Sequence, residues 1–197
     1  MAKNERLSAV ILAGGQGRRM GGADKGLVEY RGRPLIEWLL ESLHPQVDEI
    51  FISANRNLES YARYGHRVLP DTLPDFPGPL AGVLTAMEAV TSDWLLVVPC
   101  DTPHLPADLA YRLLHAARAS GAPLAVAADP ARVHHTTMLV QTRLADSLRD
   151  YLDSGQRAVK HWQAQFPLVQ IEFPAGLFDN FNTAADLGVE RDPSKIG

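Results

Sequence analysis

Cysteine is almost absent. Cys100 is the sole one in 197 residues, so no disulfide can form within the chain, and a reducing compartment fits. Long apolar runs are missing too: none approaches ~18 consecutive residues, the length that marks a spanning helix. Met1 to Leu7 is polar and charged, and no signal-peptide pattern follows it. The expectation is a cytoplasmic chain without membrane attachment. There is no excess of positive charge, since the formal net charge is −4. That argues against a general nucleic-acid or membrane-surface binder, because both favour basic faces. No internal repeat or low-complexity tract interrupts the chain. Its hydrophobic fraction of 46% is that of a globular protein long enough to bury a core. The charge is unevenly spread, however. Residues 1–35 hold seven basic side chains against three acidic ones, +4 in all, which leaves −8 for the remainder. A basic segment at the start of an acidic protein points to a local anionic ligand.

Strands and helices alternate. Ala9–Leu12 is a short apolar run ending at glycines, which reads as a buried strand. Leu35, Ile36, Leu39, Leu40 and Leu43 recur at helical spacing, with Pro34 at the first turn and Pro45 beyond the end. Further strands are expected at Ile50–Ala54, Arg67–Leu69, Trp94–Val98, Leu124–Ala128, Met138–Val140 and Leu168–Phe173. Helices are expected at Leu58–Tyr64, Leu80–Val90, Pro106–Ala119 and Leu144–Leu152, with a short final one opening at Thr183-Ala-Ala-Asp186. Residues 70–79, rich in Pro, Asp and Gly, read as a loop. This alternation implies an α/β fold of three layers, with a mostly parallel central sheet covered by helices on both faces. Ligands of such sheets bind outside the carboxyl ends of the strands. The loop after Leu12, the segment at Asn55 and the segment at Asp101 are therefore the places to look.

The first strand runs into a glycine-rich loop holding Arg18, Arg19 and Lys25. Glycines let backbone N–H groups approach phosphate oxygens closely. Two familiar phosphate loops are excluded. Gly17 and Gly22 have the P-loop spacing, but Ala23 stands where its lysine must be. In a dinucleotide fingerprint Met20 would have to be glycine, and the second strand ends at Asn55 rather than at a carboxylate.

The run Leu12-Ala-Gly-Gly-x-Gly-x-Arg-Met-Gly-x-x-Asp-Lys-Gly26 resembles the nucleotide-binding loop of the molybdenum-cofactor guanylyltransferases. The resemblance continues at Ser53-Ala-Asn-Arg56, Asp71, Pro77-Gly-Pro-Leu-Ala-Gly82, Pro99-Cys-Asp-Thr-Pro103 and Asn180-Phe-Asn-Thr183, in order along nearly the whole chain. It implies a single nucleotidyltransferase domain of three-layer, Rossmann-like fold over residues 1–197. The nucleotide-binding part would span about 1–105 and the acceptor part about 106–190. The implied reaction transfers GMP from GTP to the terminal phosphate of molybdopterin, with Mg2+, or Mn2+ in its place, and releases pyrophosphate. The resemblance also implies a GTP-binding adaptor, other cofactor-synthesis proteins and molybdoenzyme chaperones as partners.

Arg19 and Lys25 are the candidates for stabilising charge on the α-phosphate and pyrophosphate, and Asp101 is the candidate metal ligand. By resemblance Leu12, Ala13, Gly14, Gly15, Lys25, Asn55, Asp71 and Asp101 meet the nucleotide, and Gly78, Gly82, Arg157, Asn180 and Asn182 meet the acceptor. Gly14 stands where cytidylyl-transferring relatives usually carry alanine, which favours guanine. No general base is needed, because the attacking phosphate is already ionised at neutral pH. Plainer readings stay open: Asp101 as a turn cap before Pro103, Asp71 as a turn residue, and Asn180 and Asn182 as loop caps. His134 and His135 are adjacent, poor spacing for two metal ligands, and read as structural or exposed. Cys100 reads as packing, and Trp38, Trp94 and Trp162 are too dispersed to stack bases. The rivals are a cytidylyl or sugar-phosphate nucleotidyltransferase and, in another class, a non-catalytic nucleotide-binding module.

Overall fold

The computed structural model describes residues 6–14, 24–71 and 78–181. In chain order the elements are β1 (Leu7–Leu12), β2 (Glu29–Tyr30), β3 (Arg33–Pro34), α1 (Leu35–Leu43), β4 (Glu49–Ser53), α2 (Leu58–Ala62), β5 (Arg67–Leu69) and α3 (Pro79–Ala89). Then come β6 (Trp94–Pro99), α4 (Leu109–Ser120), β7 (Leu124–Ala128), β8 (Val133–Gln141), α5 (Ala145–Asp153), α6 (Val159–Gln163) and β9 (Leu168–Glu172).

Seven strands form one sheet in the order β5-β4-β1-β6-β8-β7-β9. All pair in parallel except β8, which runs antiparallel to both β6 and β7. Side chains alternate across the sheet, so successive strand residues enter different cores. Ala9 and Ile11 of β1 join Ile36, Leu39 and Leu43 of α1 and Leu109 and Leu113 of α4. Val10 and Leu12 face the other way, onto Leu80, Val83 and Leu84 of α3 and Leu148 and Leu152 of α5. These are the three expected layers. The continuous apolar runs in β1 and β6 follow from burial on both faces.

The path of the chain creates the site. From β1 it moves through α1 to β4 and β5 on one side, then returns through α3 on the opposite face to β6 on the other side. Strands β1 and β6 therefore lie side by side where the strand order reverses, the switch point at whose carboxyl edge ligands of such sheets bind.

Some elements differ from expectation. β2 and β3 form a hairpin whose turn residues, Arg31 (φ 52°) and Gly32 (φ 76°), both have positive φ. Such turns match strand twist, but Arg-Gly announces them less clearly than Asn-Gly. Helix α4 begins at Leu109 rather than Pro106, and α6 was not foreseen. Strand β8 starts at Val133, five residues before the apolar stretch at Met138, because its first half carries polar residues at the carboxyl edge. The expected helix start at 183–186 lies outside the described residues.

Candidate active site at the carboxyl edge

Residues Leu12, Ala13 and Gly14 end β1 between β4 and β6. Backbone bonds hold this end on both sides: Ala13 N donates to Ser53 O (2.8 Å) and Cys100 N to Leu12 O (3.1 Å). Two side-chain pairs flank it.

On the β4 side, Asn55 and Asp71 are joined twice. Asn55 Nδ2 donates to Asp71 Oδ2 (2.7 Å), and Asp71 N donates to Asn55 Oδ1 (2.8 Å). Burial pushes the Asp71 carboxyl above its ordinary range, and the bond from Asn55 opposes this. Its other oxygen, Oδ1, is buried with no hydrogen-bond partner among the described residues. A buried acceptor left in this state calls for a donor. Gly14 lies beside the same pair: a Cβ there would sit 3.5 Å from Asn55 Nδ2, an ordinary contact.

On the β6 side, Lys25 Nζ lies 3.0 Å from Asp101 Oδ2, with side chains 28% and 13% exposed. Lys25 opens a short 3-10 turn, Lys25–Leu27, ahead of the β2–β3 hairpin. Asp101 stands two residues past the end of β6, and its carbonyl accepts from Phe181 N (2.9 Å), which fastens the late segment to the same spot. Phe181 in turn packs on Tyr30 (ring centroids 4.7 Å apart). The Asp101 carboxylate therefore already faces a cation. Among the described residues no cluster of three or more metal-binding side chains exists. A metal here would be held by one carboxylate, with nucleotide oxygens and water completing its shell, as Mg2+ prefers.

Beyond Asp101 a cleft opens, lined by Thr102, the 132–137 segment and Asn180. Its wall is a β-bulge. Val126 pairs with Met138, but the next residue, Ala127, pairs with His134, which leaves His135, Thr136 and Thr137 as extra residues in β8. Bulges of this kind re-aim side chains next to sites. Side-chain bonds support it from behind: His134 Nε2 to Asp129 Oδ2 (2.8 Å) and His135 Nδ1 to Gln163 Oε1 (2.6 Å). His134 is thus structural and buried.

Among the acceptor candidates, Asn180 lies in this cleft. Gly78 (φ 150°) precedes α3, with Pro79 at its first turn. Gly82 is buried in α3, and a Cβ there would collide with Ser53 Oγ, so close packing already demands a glycine. Arg157 follows α5, and its Nη1 donates to Leu152 O (2.8 Å). Gly15, Arg19 and Asn182 lie outside the described residues. Cys100 is buried and its thiol is pushed up by burial, which makes it packing. Trp94 and Trp162 are core. The sequence pattern does not single out Asn57 and Tyr61, which hold Asp24 at the start of the turn that Lys25 opens. The Asp-Lys pair in the loop hinted at Asp24 alone.

The description of MobA-like NTP transferase domains matches residues 9–166. The chain belongs to this family. A curated molybdenum cofactor guanylyltransferase from Mannheimia succiniciproducens is 48% identical over 183 residues, which cover 92% of this chain and 96% of that one. Among solved structures, molybdopterin-guanine dinucleotide biosynthesis protein A from Archaeoglobus fulgidus superposes with a TM-score of 0.74 at 22% identity, covering 91% and 94% of the two chains. A 4-diphosphocytidyl-2C-methyl-D-erythritol synthase from Anaerococcus prevotii gives 0.73 at 15%, covering 93% of each chain. At these identities the structures speak for the fold alone, and the MobA-like architecture is thus shared with an enzyme named for a different base. The chain is a nucleotidyltransferase. Among its described residues no helix is long and apolar enough to cross a membrane.

Proposed function

We infer that this chain transfers the guanylyl group of GTP to the terminal phosphate of molybdopterin, forming the guanine dinucleotide cofactor and pyrophosphate. The observation that carries this is near-complete alignment, at 48% identity, with a molybdenum cofactor guanylyltransferase. The Lys25–Asp101 pair at the switch point supports it chemically.

An oxygen of the acceptor phosphate attacks the α-phosphorus of GTP. The new P–O bond forms as the α–β bond breaks, and pyrophosphate leaves with the electron pair. No side chain needs to remove a proton, so the protein's task is positioning and charge stabilisation. Lys25 supplies a mobile positive charge at the phosphates, and Arg19 is assigned a second one that can grip two oxygens. Mg2+, or Mn2+ in its place, held by Asp101, would neutralise charge on the triphosphate. Asp71 Oδ1 accepts a donor from base or ribose, and Asn55 fixes that carboxylate. Leu12, Ala13, Gly14 and Gly15 approach through the backbone. Gly14 leaves the space beside Asn55 open for guanine.

The acceptor belongs in the cleft at Asn180, with Asn182 and Arg157 as its polar contacts and the Gly78–Gly82 segment as its neighbour. On this reading residues from about 106 to 190 mainly serve the acceptor and those before them mainly the nucleotide, with the Gly78–Gly82 segment reaching across to the acceptor. The reading brings with it a cytoplasmic reaction and hand-over to a GTP-binding adaptor, cofactor-synthesis proteins and molybdoenzyme chaperones.

The test is pyrophosphate release from each nucleoside triphosphate with Mg2+, with and without molybdopterin. Release with GTP only when the pterin is present is expected. Release with CTP, or only with a sugar phosphate, would move the chain to a sister activity. GTP bound but intact with every acceptor would make it a binding module.

A further inference from the structure

Asp24 immediately precedes Lys25, yet its carboxylate points away from the phosphate crevice into the protein, where the residue is only 9% exposed. Both of its oxygens are taken by one neighbouring element. The Tyr61 hydroxyl of α2 donates to Oδ1, and Asn57 Nδ2, at the N-cap of α2, donates to Oδ2 (3.2 Å). Tyr61 is fully buried, and burial together with Asp24 holds its hydroxyl protonated, hence a permanent donor. Asn57 adopts the left-handed conformation (φ 51°), which asparagine tolerates better than most residues.

The backbone tightens from the same point. Leu27 N donates to Asp24 O (3.0 Å), and Val28 N to Lys25 O (3.1 Å). On the other side of Lys25, Gly26 lies against the hydroxyl end of the Tyr61 ring. A Cβ there would stand 2.6 Å from the hydroxyl oxygen and 3.3 Å from two ring carbons. Tyr61 therefore touches both neighbours of Lys25, one by a hydrogen bond and one by contact. The lysine between them has little freedom except along its own side chain, which reaches Asp101 at 3.0 Å.

We infer that Tyr61, acting through Asp24 and Gly26, is a positioning residue that sets the reach of Lys25 to the carboxyl edge, with Asn57 as its second anchor. The Lys25–Leu27 turn belongs to no sheet, and the Asp24 carboxylate fastens it to α2 instead. A buried charge-assisted bond fixes it where sheet pairing cannot. The inference rests on Lys25 meeting phosphate, but its geometric content holds without any substrate.

The direct test is the acylation rate of Lys25 in the full-length, substrate-free protein, read by peptide mass mapping against exposed Lys160. Tyr61→Phe and Gly26→Ala should each raise the Lys25 rate several-fold relative to Lys160, as the Asp101 pairing loosens. In the double variant the clash with the hydroxyl is gone, so its rate should fall below that of Gly26→Ala alone. With GTP and molybdopterin, kcat of Tyr61→Phe should drop by about tenfold to a hundredfold, because an error of ~1 Å costs that much, while KM for GTP changes little. Should Tyr61→Phe fail to fold, Asn57→Gly keeps the backbone conformation, removes one anchor and should show the smaller effect of the same sign. A purely structural Tyr61 would lower the melting temperature with Lys25 reactivity and kcat per folded molecule unchanged, and that result overturns the inference. A wild-type protein inactive with GTP and molybdopterin would defeat the functional reading alone, since the acylation comparison stands apart from it.

Discussion

The two sides of the carboxyl edge are made in different ways. The side assigned to the nucleotide rests on parallel strands β4, β1 and β6, whose ends are held by backbone bonds that any sequence of the right pattern could form. The side assigned to the acceptor rests on β8, the one reversed strand, whose bulge at His135–Thr137 is propped by particular side chains, His134 on Asp129 and His135 on Gln163. The difference matters for what each side can vary. A frame fixed by backbone ladders keeps its shape while its loop residues change. A bulge fixed by side-chain pairs changes shape with them, as would suit the half proposed to distinguish acceptors.

Substitutions on the two sides should separate accordingly. Asp101→Ala, at the junction, has the largest expected effect. Turnover with Mg2+ should fall on the order of a hundredfold or more while the melting temperature is kept, as loss of a preorganised charge implies. Near-normal rates at saturating Mg2+ would remove Asp101 from the metal. Next is Gly82→Ala, on the nucleotide-side frame. Its Cβ would strike Ser53 Oγ, so a denaturant titration should show a loss of about 1–3 kcal/mol, typical of overpacking. Adding Ser53→Ala should return part of it. A neutral Gly82→Ala would show that α3 can move away from β4, and would free Gly82 for a role in acceptor contact alone.

Asp129→Asn probes the acceptor side and should be milder. Burial raises the Asp129 carboxyl, but bonds from His134 and from the backbone of Arg132 and Ala131 outweigh this and bring it below its ordinary range. A depressed carboxyl stabilises the fold above its unfolded pKa and loses that contribution as pH falls through the folded one. Thermal melts of wild type and variant should differ at neutral pH and converge in acid. A gap that widens on acidification would contradict the pairing. Gly14→Ala should be the smallest in stability, within about 0.5 kcal/mol, since its Cβ meets only an ordinary contact. Its effect should appear in the preference between GTP and CTP instead.

How much of this was legible in the sequence follows the same division. The strands β1, β4 and β6 and helices α1 and α3 were readable because burial on both faces writes short, nearly unbroken apolar runs, and helical spacing is hard to imitate. The place of Leu12–Gly14, Asn55 and Asp101 at the carboxyl edge was readable because each follows an apolar strand run, while the roles proposed for them come from the family resemblance. The full extent of β8 was not, since polar residues in a bulge break the alternation that announces a strand. Nor was the grip on Asp24, as Tyr61 and Asn57 lie more than thirty residues away and meet it only through tertiary packing. The packing role of Gly82 was hidden for the same reason: only the fold brings Ser53 against it.

The central claim is best tested by direct competition. Purified protein given molybdopterin, Mg2+ and equal amounts of GTP and CTP should yield a product whose mass is that of the guanine dinucleotide cofactor, with the cytosine form a minor species. A product dominated by cytosine, or pyrophosphate release without any nucleotide joined to the pterin, would contradict the account.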